Sequence, residues 1–420
     1  MALTAYISLL LLVVSCISTV ATAGGNNNGV TTVERRFPKH GDLCISESKT
    51  FTVLVDLYAG ELGYYMLEEC GMDLWNPTIA MEIGETYTFV QKDRTNYYHP
   101  IGIAYSPYGD QEVKIEAEPG ISVGNQECIA NHTCPAPMYY LNDEYLGKYS
   151  NIPGNETTGE DDFGLDVYEP LFMRSPAEWT SHGTFSIQLR IDDDTIKSDL
   201  FYFCHIHEFM GGRIKLTKNG KVLNELDTPD LGYEYDTLSE FDKECGTWGL
   251  GDFELPNPLC PERFVCNTDE ASPELQQFSH CIDAMNCHMM AGMTTGVKKA
   301  LDEAALFVHQ MIPHHQNAVN MAKALLKTNK LHCEDLSNED EPDCVLESIL
   351  FDIVNTQNMQ IQVMYDFLAS KRLPEQDNCD VYVETIPEPS VFFESATSGG
   401  NNVVVYRWGT VMFLLVTLLR

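Results

Sequence analysis

Basic residues are scarce in this chain. Its 420 residues carry 26 Lys and Arg against 62 Asp and Glu, for a formal net charge of −36. Phosphate backbones and anionic membrane surfaces are held by basic patches, so nucleic acid is excluded as a partner. Cations are the natural partners of such a surface. Also missing are a P-loop, a Rossmann fingerprint, an EF-hand loop and a Ser/His/Asp nucleophile motif. Apolar residues are not scarce. At 44% they are enough for ordinary cores, and the length suits two or three domains.

Long apolar runs are confined to the two ends. Ala2 to Ala23 is uncharged, contains the run Ile7 to Val14 and finishes Val20-Ala-Thr-Ala23. This reads as a secretory signal peptide cut after Ala23; the run is too short for a transmembrane helix. At the other end, Ser395-Ala-Thr-Ser-Gly-Gly400 leads through Asn401 and Asn402 to Val403–Leu419, apolar apart from Arg407. That pattern resembles a glycosylphosphatidylinositol attachment signal with the anchor near Ser398. The competing reading is a short transmembrane helix, against which Arg407 and the brevity of Trp408–Leu419 both count. Two acceptor sequons, at Asn131 and Asn155, also suit an extracellular surface.

Of 14 cysteines, Cys16 lies in the leader, leaving an odd number. Cys44, Cys70, Cys128 and Cys134 form an even set in the first half. Cys245, Cys260, Cys266, Cys281, Cys287, Cys333, Cys344 and Cys379 form another in the second. Each half can close its own disulfides in an oxidising compartment, with Cys281 and Cys287 as thiolate ligands the other option. Cys204 is left over.

Cys204 lies where two alternating stretches meet. Phe185–Ile191 and Leu200–Phe203 read as strands, Gly211-Gly212 as a turn, and Arg213–Thr217 as a further strand. The loop between them is Cys204-His-Ile-His-Glu-Phe-Met210. It supplies a thiolate, an imidazole (His207) and a thioether (Met210) from one short segment. Such a set suits a trigonal copper site with a weak axial sulfur and a second imidazole from earlier in the chain. His99 is the first candidate, opening a strand after Glu82–Val90, itself read as a strand; His182 is the weaker one. Here the chain resembles the cupredoxin (plastocyanin-like) family, across Lys49 to Leu216. The resemblance implies a Greek-key β-sandwich and an electron-transfer copper site of His99, Cys204, His207 and Met210. Two residues separate His207 from Met210, where many such loops have four, and His205 is an extra imidazole. A multicopper oxidase is excluded, since Phe203 rather than histidine precedes Cys204 and His205-Ile-His207 is the only His-x-His pair.

After the Cys/Pro/Gly-rich stretch Cys245–Pro273 the texture becomes helical. Val297–Thr328 lacks glycine, and Met311, His314, Ala318 and Met321 share one helical face, with His309 and His315 beside it. Pro313 kinks that helix or starts a new one. Val345–Ser370 carries a stripe of Leu350, Val354, Gln357, Ile361, Met364 and Leu368. Ahead of both, Phe278–Met293 holds His280, Met285, His288, Met289, Met290 and Met293. Methionine stripes usually fill cores. Interleaved with histidine they are also the ligand set for Cu(I). Met311-Ile-Pro-His-His-Gln-Asn-Ala-Val-Asn-Met-Ala322 closely resembles the signature of the ferritin-like domain of unknown function 305 family, over Glu274 to Leu373. Bacterial periplasmic members are associated with copper tolerance. The resemblance implies a helical bundle holding copper through Met311, His314, His315 and Met321, with Met290, Met293 and Met364 as candidates. No Glu-x-x-His pair supports a diiron site.

The expected fold is multidomain β plus α, a cupredoxin-like sandwich followed by a ferritin-like bundle. Its parts are a signal peptide (1–23), an N-terminal segment (24–48), the cupredoxin-like domain (49–240) and a linker (241–273). The helical domain (274–374), a second linker (375–398) and the anchor signal (399–420) follow. The expected function is a secreted, cell-surface copper protein handling Cu(I) and Cu(II), with a redox partner protein and membrane attachment through lipid. The alternative is an acidic extracellular-matrix protein whose runs Asp192–Asp194, Glu160–Asp162 and Glu339–Glu341 bind Ca²⁺ weakly. A copper-dependent oxidoreductase ranks third, because an electron-transfer site offers no open position for substrate.

Overall fold

A computed structural model describes residues 35–105, 107, 135–148, 163–192, 196, 198–227, 230, 231, 237–260, 263–297, 302–377 and 379. The signal peptide, Cys128, Cys134, the sequons at Asn131 and Asn155, the run Glu160–Asp162, Ser398 and the anchor segment lie outside the described residues.

Alternation builds the sheets. In β1 (Thr50–Asp56), Phe51, Val53 and Val55 point inward, and in β4 (Thr86–Gln91) Tyr87, Phe89 and Gln91 do. With β2 (Tyr64–Leu67), β6 (Met138–Leu141), β7 (Glu144–Gly147) and β8 (Phe185–Arg190) they form a six-stranded sheet ordered β2-β1-β4-β8-β6-β7. A second sheet runs β11-β10-β9-β5, with β3 on β10; its members are β3 (Ile79–Glu82), β5 (Ile101–Ala104), β9 (Leu200–Cys204), β10 (Gly211–Lys218) and β11 (Lys221–Val222). Both sheets are mixed, since β1 pairs β4 in parallel and β3 pairs β10 in parallel. Phe51, Phe89, Phe185 and Trp179 fill one continuous core with residues of the second sheet. Each fully buried aromatic of this kind contributes about 1.5–3 kcal/mol. Trp179 belongs to α2 (Pro176–His182), which with α1 (Gly164–Phe172) covers the β8 region.

Two local readings change. Glu82–Val90 is not one strand: β3 ends at Glu82 and β4 starts at Thr86, with Gly84 turning between them at φ +88°. Gly211-Gly212 is strand rather than turn, pairing with Phe203 and Tyr202. A Cβ on Gly211 would sit 2.3 Å from the Tyr202 carbonyl oxygen, and one on Gly212 2.3 Å from the Tyr202 hydroxyl. The glycines therefore serve close approach, not reversal.

After α3 (Glu240–Cys245) the rest is helical: α4 (Pro273–Gly292), α5 (Glu303–Lys327) and α6 (Pro342–Ser370). Ser272 and Asp302 cap α4 and α5 by accepting from Leu275 N–H and Ala305 N–H. Helix α5 starts later than the glycine-free stretch and runs unbroken through Pro313. Pro313 abuts Gly292, where a Cβ would come within 2.7 Å of the proline ring, so the glycine lets α4 and α5 close up. Among the described residues no helix is long and apolar enough to cross a membrane.

Four disulfides join Cys44–Cys70, Cys245–Cys281, Cys260–Cys287 and Cys333–Cys344. Cys281 and Cys287 are thus not thiolate ligands. The pairing by halves is incomplete among the described residues, because Cys266 and Cys379 are free and exposed. Cys204 is buried and belongs to none of these disulfides.

The described residues fall in one compact unit that extends to Cys379. Its helices lie against the strand-rich half through specific polar contacts. The Arg94 guanidinium donates to the Glu347 carboxylate (2.6 Å) and to the carbonyls of Cys333 (3.1 Å) and Glu334 (2.9 Å). Tyr97 donates to Asp352 (3.2 Å), and the fully buried Lys323 ammonium donates to the carbonyls of Gly60 (2.8 Å) and Glu61 (3.1 Å).

Candidate metal centre

Strand register assembles the site. The antiparallel pairing of β5 with β9 sets Ile101 opposite Cys204. His99, two residues before Ile101, thereby arrives beside the end of β9. The reversal after Cys204 is pinned by the Cys204 N–H donating to the Met210 carbonyl (2.9 Å), and it returns His207 to the same place. His99 Nδ1 and His207 Nδ1 are 3.1 Å apart, and each lies 3.8–3.9 Å from Cys204 Sγ. The three side chains are 0%, 2% and 6% exposed in the order His99, His207, Cys204. Among the described residues this is the one group of three or more His, Cys, Asp or Glu side chains able to converge on an ion.

The triangle fits a single ion. Bonds of about 2.0 Å to nitrogen and about 2.3 Å to sulfur would span these separations of 3.1–3.9 Å from one point between the three donors. Met210 is buried in the same core as Cys204.

Burial also prepares the donors. It pushes His207 down to about 4 and His99 well below the usual imidazole range, the neighbouring His207 adding to the shift on His99. Both rings are therefore neutral at pH 7 and can offer lone pairs. His207 Nε2 donates to the Asn355 carbonyl oxygen in α6 (3.2 Å). A carbonyl can only accept, so the proton sits on Nε2 and Nδ1 is bare. The His207 amide N–H points at Cys204 Sγ (3.4 Å), favouring thiolate character.

A buried amide network holds His99. Gln91 Nε2 donates to the His99 carbonyl (2.6 Å) and to Asn96 Oδ1 (2.9 Å), while Gln91 Oε1 accepts from Ile101 N–H (3.0 Å) and the Tyr168 hydroxyl (3.3 Å). Asn96 in turn donates to the Val53 carbonyl (2.7 Å), and the Tyr65 hydroxyl to the His99 carbonyl (3.1 Å). Backbone strain flanks both ligand segments: Tyr98 and Phe209, immediately before His99 and Met210, have φ of +66° and +57°. Such left-handed residues cost about 1–3 kcal/mol and cluster where a site over-determines the chain.

Sequence patterns named the three converging side chains but missed Gln91, Asn96, Tyr65 and Asn355. An amide on the apolar face of β4 is the signal that points to Gln91. Nothing in the α6 stripe singles out Asn355. The other histidines go elsewhere. His182 ends α2 with its ring on Phe185 (6.4 Å), and His205 packs its ring on Phe203 (5.0 Å).

Comparison with family models, curated proteins and solved structures finds no match to this chain.

On the helices, one thioether pair converges. Asn317 Nδ2 in α5 points at Met289 Sδ (3.3 Å) and Met321 Sδ (3.7 Å), and Asn317 Oδ1 is buried with no hydrogen-bond partner. Met289 was not among the expected ligands. Met290 and His314 are exposed, and Met311 and His315 are half-buried. Met293 closes α4, its carbonyl accepting from Gln310. Met364 packs with Ile312, Ile361 and Leu368.

Proposed function

We propose that this chain is a secreted, cell-surface copper protein whose centre at His99, Cys204 and His207 carries single electrons. The observation that carries the reading is the buried convergence of two Nδ1 atoms and one thiol outside any disulfide within 3.1–3.9 Å. Thiolate with two imidazoles suits both copper oxidation states, whereas structural zinc prefers four strong ligands. Copper supplies one-electron exchange. The chain's own residues hold the donors neutral, exclude water and fix both rings, which lowers the reorganisation that accompanies each transfer. Met210 is the axial candidate.

The cupredoxin-like reading of the two sheets and the ferritin-like reading of α4–α6 belong to this proposal. So do the lipid anchor and a redox partner protein. On the helices, the Met289–Asn317–Met321 contact supports a second, Cu(I)-selective place, because two soft sulfurs flank one amide there. A redox centre joined to a Cu(I) store suits acquisition or redox conversion of copper at the cell surface.

The test is metal analysis with an absorption spectrum of the chain loaded with Cu(II), beside Cys204→Ser. Stoichiometric copper and an intense thiolate-to-copper band, lost in the variant, are expected. Absence of the band in the wild type would leave the strand-rich half as a scaffold.

A further inference from the structure

Helix α6 lies against both ligand-bearing segments through one face. His207 Nε2 is 3.2 Å from the Asn355 carbonyl oxygen. Tyr97, two residues before His99, donates its hydroxyl to the Asp352 carboxylate at 3.2 Å. Phe351 is buried in the core cluster that also holds Cys204 and Met210. Glu347 receives the Arg94 guanidinium at 2.6 Å. Residues 347, 351, 352 and 355 are spaced 4, 1 and 3 apart, so they share one side of the helix. On the first turns of the other side, Val345, Leu346 and Ile349 are exposed.

The start of α6 is not held as the starts of α4 and α5 are. Those two helices open on side-chain caps, Ser272 and Asp302. Glu341, which precedes α6, makes no side-chain cap. An uncapped end leaves backbone N–H groups without a side-chain acceptor and frays first. Two other devices hold it. The Cys333–Cys344 disulfide ties the first turn to the preceding loop. Arg94 then fastens loop and helix to the strand-rich half, donating to the carbonyls of Cys333 (3.1 Å) and Glu334 (2.9 Å) as well as to Glu347. Arg94 lies between Gln91 and Asn96, in the segment that carries His99.

We propose that Arg94 and the Cys333–Cys344 disulfide form a latch on the N-terminal part of α6, and that copper enters and leaves the centre when this latch opens. The proposal rests on the mononuclear-site reading above. His99, Cys204 and His207 are all buried, so an ion reaches them only when a neighbour moves. The loop after Cys204 is pinned, with the Cys204 N–H on the Met210 carbonyl and Met210 itself buried. The uncapped end of α6 supplies the neighbour that moves. Its opening lifts Phe351, Asp352 and Asn355 away while the β5–β9 register that places His99 beside Cys204 stays intact. The three donors therefore keep their arrangement in the open form. Such a gate multiplies entry and exit rates by one factor and leaves the equilibrium affinity where it was. Arg94 is thus a positioning residue that acts through α6.

The experiment uses the full chain as wild type, as Arg94→Met, and with Cys333→Ala and Cys344→Ala together. Cu(I) transfer to a saturating chromophoric chelator gives the exit rate. Alkylation of Cys204 in the metal-free chain, read by peptide mass spectrometry, gives access from outside. Removing charge-assisted hydrogen bonds shifts a local opening about 10–100-fold, so Arg94→Met should release copper and alkylate Cys204 faster by about that factor. The double cysteine variant should move both rates the same way. Cu(I) affinity and the visible band of the Cu(II) form should stay as in the wild type, whereas a merely structural role would weaken the one or alter the other. Unchanged rates in folded variants overturn the proposal, as does faster release matched by an equal loss of affinity. If neither variant folds, hydrogen exchange of the wild type decides. The amides of residues 347–355 should exchange, and Cys204 react, through one opening short of global unfolding. Reaction of Cys204 while those amides stay protected overturns the proposal. Failure of the wild type to take up copper sinks the proposed function and the latch together. Uptake with unchanged exchange rates sinks only the latch.

Discussion

Lys323 offers a quantitative test of how the helices are seated on the strand-rich half. Its ammonium is fully buried and donates to the carbonyls of Gly60 and Glu61. Burial lowers its pKa from 10.5 to about 8, Glu61, Asp56 and Asp242 opposing the shift. Between these values the unfolded chain holds a proton that the folded chain has released. Stability therefore rises with pH across that window. Integrating the linkage from about pH 7 to about pH 10 gives a gain of about 2–3 kcal/mol from this one group. Lys323→Met removes the titration and leaves the two carbonyls unpaired, a cost that does not vary with pH. Urea unfolding of both chains across this range should show the wild type gaining about 2–3 kcal/mol on the variant. The raised tyrosines, Tyr58 and Tyr97 among them, do not interfere below about pH 10, where their hydroxyls are protonated in both states. A difference that stays flat, or that falls with pH, would refute the buried-ammonium account of this contact.

Other substitutions probe other parts of the argument. Gln91→Leu strips four buried hydrogen bonds from the segment that carries His99, and should cost about 3 kcal/mol or more by denaturant titration. Its loss should also broaden the visible copper band. Replacing Cys333 and Cys344 by alanine opens a disulfide with a sequence separation of 11, worth about 2.8 kcal/mol in the chain-entropy account and read as a lower unfolding midpoint. Gly292→Ala drives a methyl against Pro313 and should cost about 1–3 kcal/mol in thermal unfolding. In a Cys204→Ser background, Met289→Leu with Met321→Leu should reduce bound Cu(I) by one equivalent; an unchanged stoichiometry would mean that this pair is core packing.

The ligand loop was legible because Cys204, His207 and Met210 lie within one short segment between two alternating strands. His99 was legible as a histidine opening a strand. What could not be read is what arrives from far away. Asn355 contacts His207 across 148 residues, and an asparagine inside an amphipathic helix carries no local mark of that role. Gly211-Gly212 misled because glycine is a weak strand former; the Tyr202 backbone and ring, which need that space, are invisible in the local pattern. Pro313 allowed two readings, and only its fit against Gly292 shows why α5 continues. The expected face of Met311, His314, Ala318 and Met321 followed helical spacing. The contact that forms, Met289 with Asn317 and Met321, depends on how α4 crosses α5.

The position of Asn355 also bears on how the chain matures. His99, the 204–207 loop and α6 come together only when distant stretches have folded and docked, and contacts of such long sequence separation form late. Until then Cys204 is an accessible thiol among cysteines that are being oxidised. The four disulfides among the described residues close loops of 36 residues or fewer, so they can form within their own neighbourhoods while the centre is still open. Docking of α6 then brings the Asn355 carbonyl onto His207 and completes the surroundings of the centre. A chain that stalls before it has the His99, Cys204 and His207 side chains together without their contact from α6, so the finished centre reports that three distant stretches have met.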